Sequence, residues 1–149
     1  MLLIAHRGNT NGPNTARENS PEYLREAQGA GYEIEVDVWF TSGWFLGHDA
    51  PEYPVDESIF KALDPNRAWY HAKNAEALYR LRKRTHVHSF WHQEDDYALT
   101  SQGVIWVHPK SSLLPKGSIC VLPEIRKTNE GLSGCAGICS DFVEQYRHV

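Results

Sequence analysis

Three short segments in the first third of the chain carry side chains that can transfer protons, bind phosphate or hold a cation. They are His6-Arg7-Gly8, Glu35-Val36-Asp37 and His48-Asp49. Histidine transfers protons near neutral pH, and the planar guanidinium of arginine matches the oxygens of a phosphate. Carboxylates two residues apart on a strand project from the same face, and Mg²⁺ and Ca²⁺ prefer oxygen ligands of this kind. These residue types indicate metal-assisted chemistry on a phosphate.

Each segment also has an ordinary structural explanation. Glu33, Glu35 and Asp37 alternate with apolar residues, a pattern that the solvated face of an edge strand also gives. A histidine such as His6 can simply cap a strand or satisfy a loop carbonyl. The position of His6 and Arg7 directly after an apolar run favours function, because barrel and open α/β enzymes place catalytic groups at the carboxyl ends of strands.

Short apolar runs alternate with helical or polar segments along the chain. Strands are predicted at 2–5, 33–40, 44–48, 68–73, 86–90, 104–107, 118–122 and 137–140, and helices at 20–29, 56–63, 75–84 and 142–147. This alternation predicts an α/β fold with mainly parallel strands. A complete eightfold barrel takes about 200 residues or more. We therefore expect residues 1–149 to form one domain, a reduced or incomplete (β/α) TIM-type barrel.

Composition restricts the class of protein. The formal net charge of -4 argues against a general nucleic-acid binder, which needs a surplus of Lys and Arg. The N-terminal apolar run is too short for a secretion leader, and no run approaches the about 20 apolar residues of a membrane helix. We expect no stable membrane insertion and a cytoplasmic location. The three cysteines form no CxxC pair, which fits free thiols in a reducing compartment.

The order of the chemical motifs resembles that of the glycerophosphodiester phosphodiesterase family. The matching segments are IAHRG at 4–8, ENSPEYLREAQGAGYEIEVDV at 18–38 and LGHD at 46–49. Looser similarity at 54–63, 72–73, 89–90 and 137–141 extends the resemblance over nearly the whole chain, while only residues 4–49 match specific motifs. The resemblance implies a compact domain of this family that cleaves a small-molecule phosphodiester, as in lipid metabolism.

The resemblance also implies roles for individual residues. His6 and His48 match the paired general acid and base of the family. Arg7 and Lys73 match the groups that hold the phosphate. Such a set suits phosphodiester cleavage, because one imidazole takes a proton from the nucleophile and the other gives one to the leaving oxygen.

A divalent metal ion is the implied cofactor, and Glu35 and Asp37 match two of its ligands. The family has a glutamate two residues before the strand-three lysine as a third ligand, and this chain has His71 in that place. The ion implied is Mg²⁺, Ca²⁺ or Mn²⁺, and Zn²⁺ joins them because imidazole favours softer metals. The departure at His71 and the small size leave two alternatives open. One is a phospholipase D-like lyase that forms a cyclic phosphate, and the other is a degenerate member that binds a phosphorylated ligand without turnover.

Two weaker candidates lie outside these motifs. His86 and His88 share one strand face near His92, a pattern that metal sites use but that polar strand-end residues also give. Five tryptophans lie mostly in or beside predicted strands: Trp39, Trp44, Trp69, Trp91 and Trp106. Most of them should pack in the core, and one or two near strand ends should line a substrate pocket.

Overall fold

A computed structural model describes residues 1–148 of the 149-residue chain. The strands are β1 (Leu2–His6), β2 (Glu33–Phe40), β3 (Trp44–Leu46), β4 (Tyr53–Val55), β5 (Ala68–Ala72), β6 (His88–Trp91), β7 (Tyr97–Leu99), β8 (Ile105–Val107), β9 (Ile119–Val121) and β10 (Gly137–Ser140). The α-helices are α1 (Pro21–Gly29), α2 (Ile59–Ala62) and α3 (Ala75–Leu81). Single 3₁₀ turns span Pro65–Arg67, Pro123–Ile125, Leu132–Gly134 and Val143–Tyr146.

All ten strands belong to one mixed sheet. Seven of them run parallel in the order β6, β5, β2, β1, β10, β9 and β8. The end of β2 continues into an antiparallel extension made by β3 and β4, and β7 lies antiparallel to β8. The sheet curls until the backbone N–H of Ser101, just after β7, donates to the carbonyl of Ser89 on β6 at 2.8 Å.

The curled sheet encloses a small apolar interior. Side chains from six strands meet there: Ile4, Trp69, Phe90, Trp106, Ile119, Val121 and Cys139. The ring centroids of Phe90 and Trp106 lie 4.6 Å apart across this interior. The three cysteines are free and buried, as the sequence indicated.

Strand β2 separates this interior from a second core under the helices. Ile34, Val36 and Val38 are fully buried in a cluster that also contains Leu24 of α1 and Leu81 of α3. The alternating acidic side chains therefore point into the curl, because successive side chains of a strand face opposite ways. The explanation of β2 as a solvated edge strand is wrong, since β2 pairs with β1 on one side and β5 on the other.

Helix α1 begins where the sequence predicts. The Ser20 hydroxyl accepts a hydrogen bond from the Tyr23 N–H at 3.3 Å, and Pro21 occupies the first turn. Gly31, with φ of +97°, follows the helix in a left-handed conformation that glycine adopts without steric cost. This N-terminal cap positions the polar loop between β1 and α1 beside the ends of β1 and β2.

The expected parallel arrangement holds for seven of the ten strands, and the curled mixed sheet agrees in part with an incomplete barrel but does not establish a TIM-type fold. A regular β/α alternation is not formed within residues 1–148, where the three α-helices all precede β6. The connections at 92–96 and 100–104 are shorter than the dozen or more residues that a helical crossover takes. The helix predicted at 142–147 is a 3₁₀ turn instead. No helix in this described part of the chain is long and apolar enough to cross a bilayer.

Candidate active site

A pocket of about 400 Å³ opens at the carboxyl ends of the parallel strands. Six of the residues predicted from sequence line it: His6, Arg7, Glu35, His48, His71 and Lys73. The seventh, Asp37, lies fully buried beside Glu35 and Lys73 at the base of the same site. Four separate segments of the chain thus deliver the predicted side chains to one location.

Two neighbouring strands bring together the three candidate metal ligands. Asp37 of β2 pairs in register with His71 of β5, and Glu35 stands two residues earlier on the same face of β2. His71 Nδ1 lies 3.1 Å from Asp37 Oδ1 and 3.7 Å from Glu35 Oε1. One ligand atom from each residue lies within 4.8 Å of the other two. This spacing suits a single cation bound between them.

The hydrogen bonds around these residues also fit a cation. Asp37 Oδ2 accepts from Asn19 Nδ2 at 2.9 Å, but within residues 1–148 the buried Oδ1 has no further hydrogen-bond partner beyond its close contacts with His71 and Lys73. His71 Nε2 lies 2.9 Å from the carbonyl oxygen of His92. A proton on Nε2 donated to this carbonyl leaves the Nδ1 lone pair facing the carboxylates, the arrangement that metal-binding histidines use.

Without a cation, the carboxylates hold a proton on His71. Burial lowers the pKa of His71, but the hydrogen bonding and negative charge of Asp37 and Glu35 outweigh it and raise that pKa to about 9. Burial conversely raises the pKa of Asp37, and the contacts with His71, Lys73 and Arg7 outweigh burial and bring that pKa well below its ordinary value. The site therefore stays charged near neutral pH, with an imidazolium beside a carboxylate.

The ionisable side chains of the site carry two more negative than positive charges when both histidines are neutral. Four carboxylates gather there, those of Glu18, Glu35, Asp37 and Asp141, facing the permanent cations Arg7 and Lys73. A divalent ion would balance the two uncompensated negative charges. A proton on His71 supplies part of this charge when no ion is bound, so metal ions and protons compete at His71.

Arg7 is held in a fixed pose at the rim of the carboxylates. Its backbone has φ of +55°, a left-handed conformation that costs energy for a side chain other than glycine. The Arg7 N–H donates to Glu35 Oε2 at 3.2 Å, and Nη1 donates to Glu18 Oε2 at 3.2 Å. The next residue must be glycine, because a Cβ on Gly8 would lie 2.9 Å from the ring of Tyr23. The HRG motif thus aims one guanidinium edge at the pocket.

His6 is oriented by a carboxylate from the other end of the chain. Asp141, directly after β10, places Oδ1 2.7 Å from His6 Nδ1, and Asn9 Nδ2 donates to the same oxygen at 2.8 Å. Nε2 of His6 then faces the pocket, 4.0 Å from Glu35 Oε2. Burial lowers the pKa of His6, but the Asp141 hydrogen bond and the Glu35 charge raise it above its ordinary value.

His48 lies on a tight turn at the open side of the pocket. Its Nδ1 is 2.7 Å from Asp49 Oδ1, which leaves Nε2 free to act. Gly47 before it has φ of +146°, and a Cβ there would stand 2.3 Å from the Ala50 carbonyl oxygen. Trp39 Nε1 donates to the Gly47 carbonyl at 2.7 Å and fixes the turn. The glycine and the tryptophan together hold His48 at the mouth.

Aromatic side chains form the wall opposite the carboxylates. The rings of His92 and His108 stack with centroids 5.0 Å apart, and Trp91 and Trp106 also line the pocket. Burial lowers the pKa of both histidines, which keeps this wall neutral. The expectation that one or two tryptophans line a pocket is confirmed.

The weaker histidine cluster does not form a metal site. His88 stacks on Trp69 at 3.6 Å inside the curl, while His86 is exposed. Among residues 1–148, Glu35, Asp37 and His71 form the one group of three or more His, Cys, Asp or Glu side chains placed closely enough to hold a metal ion. Alternate residues of one strand share a face, but β6 begins only at His88, so His86 lies outside it.

Sequence reasoning missed the residues that support the predicted ones. Asn19 holds Asp37, and Glu18 holds Arg7. Asp141 holds His6, and Asn9 in turn donates a hydrogen bond to Asp141. Asp141 follows a predicted strand directly, so the carboxyl-end rule that selected His6 also applies to it. Glu18 and Asn19 open the segment at 18–38 that carries the resemblance, although no role was predicted for them, and Asn9 gave no signal because loop asparagines are common in turns.

Comparison of the chain with protein-family models, with curated proteins and with solved structures gives no match. The arrangement of the site and the order of its motifs therefore carry the functional argument.

Proposed function

We propose that this chain is a divalent-metal-dependent phosphodiesterase of the glycerophosphodiester phosphodiesterase type, built on an incomplete (β/α) barrel. The observation that carries the proposal is the convergence of Glu35, Asp37 and His71 within 4.8 Å of one another, beside Arg7 and Lys73. Acidic ligands next to fixed cations match a phosphodiester, because its negative oxygens need both a metal ion and charged donors.

Glu35, Asp37 and His71 would hold the ion. When bound, a divalent ion supplies positive charge that polarises a phosphate oxygen. Two carboxylates suit Mg²⁺, Ca²⁺ or Mn²⁺, and the His71 imidazole shifts the preference toward Mn²⁺ or Zn²⁺. Arg7 and Lys73 would bind the remaining phosphate oxygens, since both cationic groups line the pocket and are held there by acidic neighbours.

The proton transfers fall to the two histidines. One imidazole removes a proton from the attacking water, or from a neighbouring substrate hydroxyl in the cyclising reaction, as its oxygen bonds to phosphorus, and the other gives a proton to the oxygen that leaves. Asp141 supports His6 in this role, because a carboxylate at Nδ1 fixes the tautomer and stabilises the imidazolium that forms. Asp49 holds the same position relative to His48.

The test is hydrolysis of bis(p-nitrophenyl) phosphate and of glycerophosphodiesters by chelated protein resupplied in turn with Mg²⁺, Ca²⁺, Mn²⁺ and Zn²⁺. His6→Ala should lower the restored rate at least about 100-fold, the typical contribution of one acid–base group. Glu35→Gln should lower it by removing a charged ligand of the ion. His86→Ala and Glu130→Gln, matched changes at exposed positions, should leave the rate unchanged.

Turnover that needs no ion, or that survives Glu35→Gln, would contradict the proposal. Phosphorus NMR of the products separates hydrolysis from formation of a cyclic phosphate, the lyase reaction on the same scaffold.

A phosphate-binding protein without turnover is the second candidate. The 3.1 Å contact between His71 Nδ1 and Asp37 Oδ1 favours it, because an imidazolium there supplies a positive charge without an ion. This candidate requires that the folded protein bind inorganic phosphate without an added ion, and that it cleave none of the diesters even when an ion is supplied. Phosphate binding measured by calorimetry beside the hydrolysis assay separates the two candidates.

A further inference from the structure

The loops after β8 and β9 expose apolar and basic side chains together. Leu113 and Ile125 are 68% and 66% exposed, which is unusual for large aliphatic residues. Lys110 and Lys127 are exposed on the same loops, and neither forms an ion pair within the described part of the chain. We refer to Lys110, Leu113, Ile125 and Lys127 as the rim surface.

The rim surface adjoins the mouth of the candidate active site. Lys110, Ile125 and Lys127 line a surface depression of about 560 Å³, and Pro109 lines both this depression and the active-site pocket. Arg126 ties the two loops together, because its guanidinium donates to the carbonyl oxygens of His108 at 3.3 Å and Ser111 at 2.8 Å. The exposed groups are therefore presented by one connected structure.

Charge is distributed unevenly between this region and the remainder of the chain. Residues 109–128 carry four basic residues and one acidic residue, a surplus of three positive charges in a chain of net charge -4. The acidic residue, Glu124, accepts hydrogen bonds from the Ser140 hydroxyl and the Asp141 N–H and is directed toward the site. The rim surface thus offers positive charge beside exposed aliphatic groups.

We propose that the rim surface docks on an anionic phospholipid bilayer, with the pocket mouth facing the lipid headgroups. Exposed Leu and Ile side chains gain free energy by leaving water at such an interface. The lysine stems cover apolar surface while their ammonium groups reach anionic headgroups. A two-fold contact between copies of this chain fits less well, because it would place the rim lysines of one copy against those of the other.

Docking rests on the rim surface alone, while the further step, that the bilayer supplies the phosphodiester to be cleaved, rests on the proposed function. The two are separable because the rim residues lie outside the active-site lining. Rim variants should therefore cleave bis(p-nitrophenyl) phosphate, a soluble substrate, at the rate of the unaltered protein.

Flotation with large unilamellar vesicles tests the docking directly. The full chain should bind phosphatidylcholine vesicles containing one quarter phosphatidylglycerol, and bind pure phosphatidylcholine much more weakly. Lys110→Gln with Lys127→Gln should weaken this partitioning roughly 25-fold, about fivefold for each lysine. Lys61→Gln with Lys83→Gln, the same charge change at exposed positions before β6, should have little effect.

The apolar part is tested by Leu113→Ser with Ile125→Ser, which should weaken binding to the same vesicles, while Tyr79→Ser at another exposed position should not. Failure of the unaltered protein to bind anionic vesicles would overturn the docking, whatever its hydrolytic activity. Equal losses in the rim and control variants would also overturn it. A concentration-dependent dimer abolished by the rim changes would assign the surface to a second copy instead.

Discussion

Binding of Mn²⁺ to this protein should release close to one proton at pH 7. His71 must lose its Nδ1 proton before that nitrogen can bind an ion, and its pKa in the metal-free site is raised to about 9. Two pH units below that value about 99% of His71 is protonated, whereas at pH 9 about half is. Asp37, with a pKa below its ordinary value, adds no proton of its own. Apparent affinity should rise about tenfold per pH unit between pH 6 and 8.

Isothermal titration calorimetry in two buffers of different ionisation enthalpy measures this proton release. At pH 7 the observed enthalpies should differ by nearly the whole difference between the two buffers' ionisation enthalpies, and at pH 9 by about half of it. His71→Gln should remove the difference, and His86→Gln, a change at an exposed histidine, should keep it. Equal enthalpies in both buffers, or proton release that persists in His71→Gln, would refute the placement of His71 as a ligand.

Three further predictions concern a residue that orients His6, the stability contributed by His71 and the packing of β1 against β10. Asp141→Asn should lower hydrolysis by about 10²-fold to 10⁴-fold and shift its pH profile while leaving Mn²⁺ affinity unchanged; an unaltered pH profile would argue against orientation of the imidazole. In metal-free protein, the raised pKa of His71 contributes stability that is complete below about 6.5 and is lost as pH rises through about 9. Urea unfolding should register this loss, on the order of 3 kcal/mol, and a pH-independent unfolding free energy would contradict it. Gly137→Ala would put a Cβ 2.7 Å from the Cβ of Leu2 and should cost about 1–3 kcal/mol by pushing β1 from β10; unchanged thermal stability would show that the strands adjust freely.

Strong local patterns predicted the central part of the fold. The alternation at Glu33–Phe40 and the apolar run at Gly137–Ser140 gave strands with the bounds the structure shows. The two unpredicted strands, Tyr53–Val55 and Tyr97–Leu99, are only three residues long and pair antiparallel with their chain neighbours β3 and β8, and segments this short give no clear alternation in the sequence. Pro54 is compatible with β4 because this strand lies at the edge of the sheet, where a proline is tolerated.

The site was predictable where its residues follow strands or share a strand face. His6 ends β1 and Arg7 follows it, while Glu35 and Asp37 alternate on β2, and register with β5 then brings His71 opposite Asp37. The residues that support the site could not be predicted from sequence in the same way, because their contacts form only when distant parts of the chain pack together. Asp141 lies 135 residues from the His6 ring it contacts, and no local pattern connects the two.

The same limit applies to the polar loop after β1. Asn19 both donates to the Asp37 carboxylate and accepts from the Asp37 N–H, each at 2.9 Å. From sequence Asn19 belongs to the matching segment at 18–38 without a predicted role, and its φ of +62° is a common turn conformation for asparagine. Its contact with the buried carboxylate of Asp37 can be recognised only from the structure, in which the loop packs against β2.

The central claim is that Glu35, Asp37 and His71 bind one divalent ion that supports cleavage of a phosphodiester. Titration of chelated protein with Mn²⁺, followed by the rate of bis(p-nitrophenyl) phosphate hydrolysis, tests it most directly. We predict a rate that rises from near zero and saturates at one ion per chain, and that stays near zero in folded Asp37→Asn protein. Full hydrolysis in the presence of chelator, or an equal Mn²⁺ response in Asp37→Asn, would contradict the account.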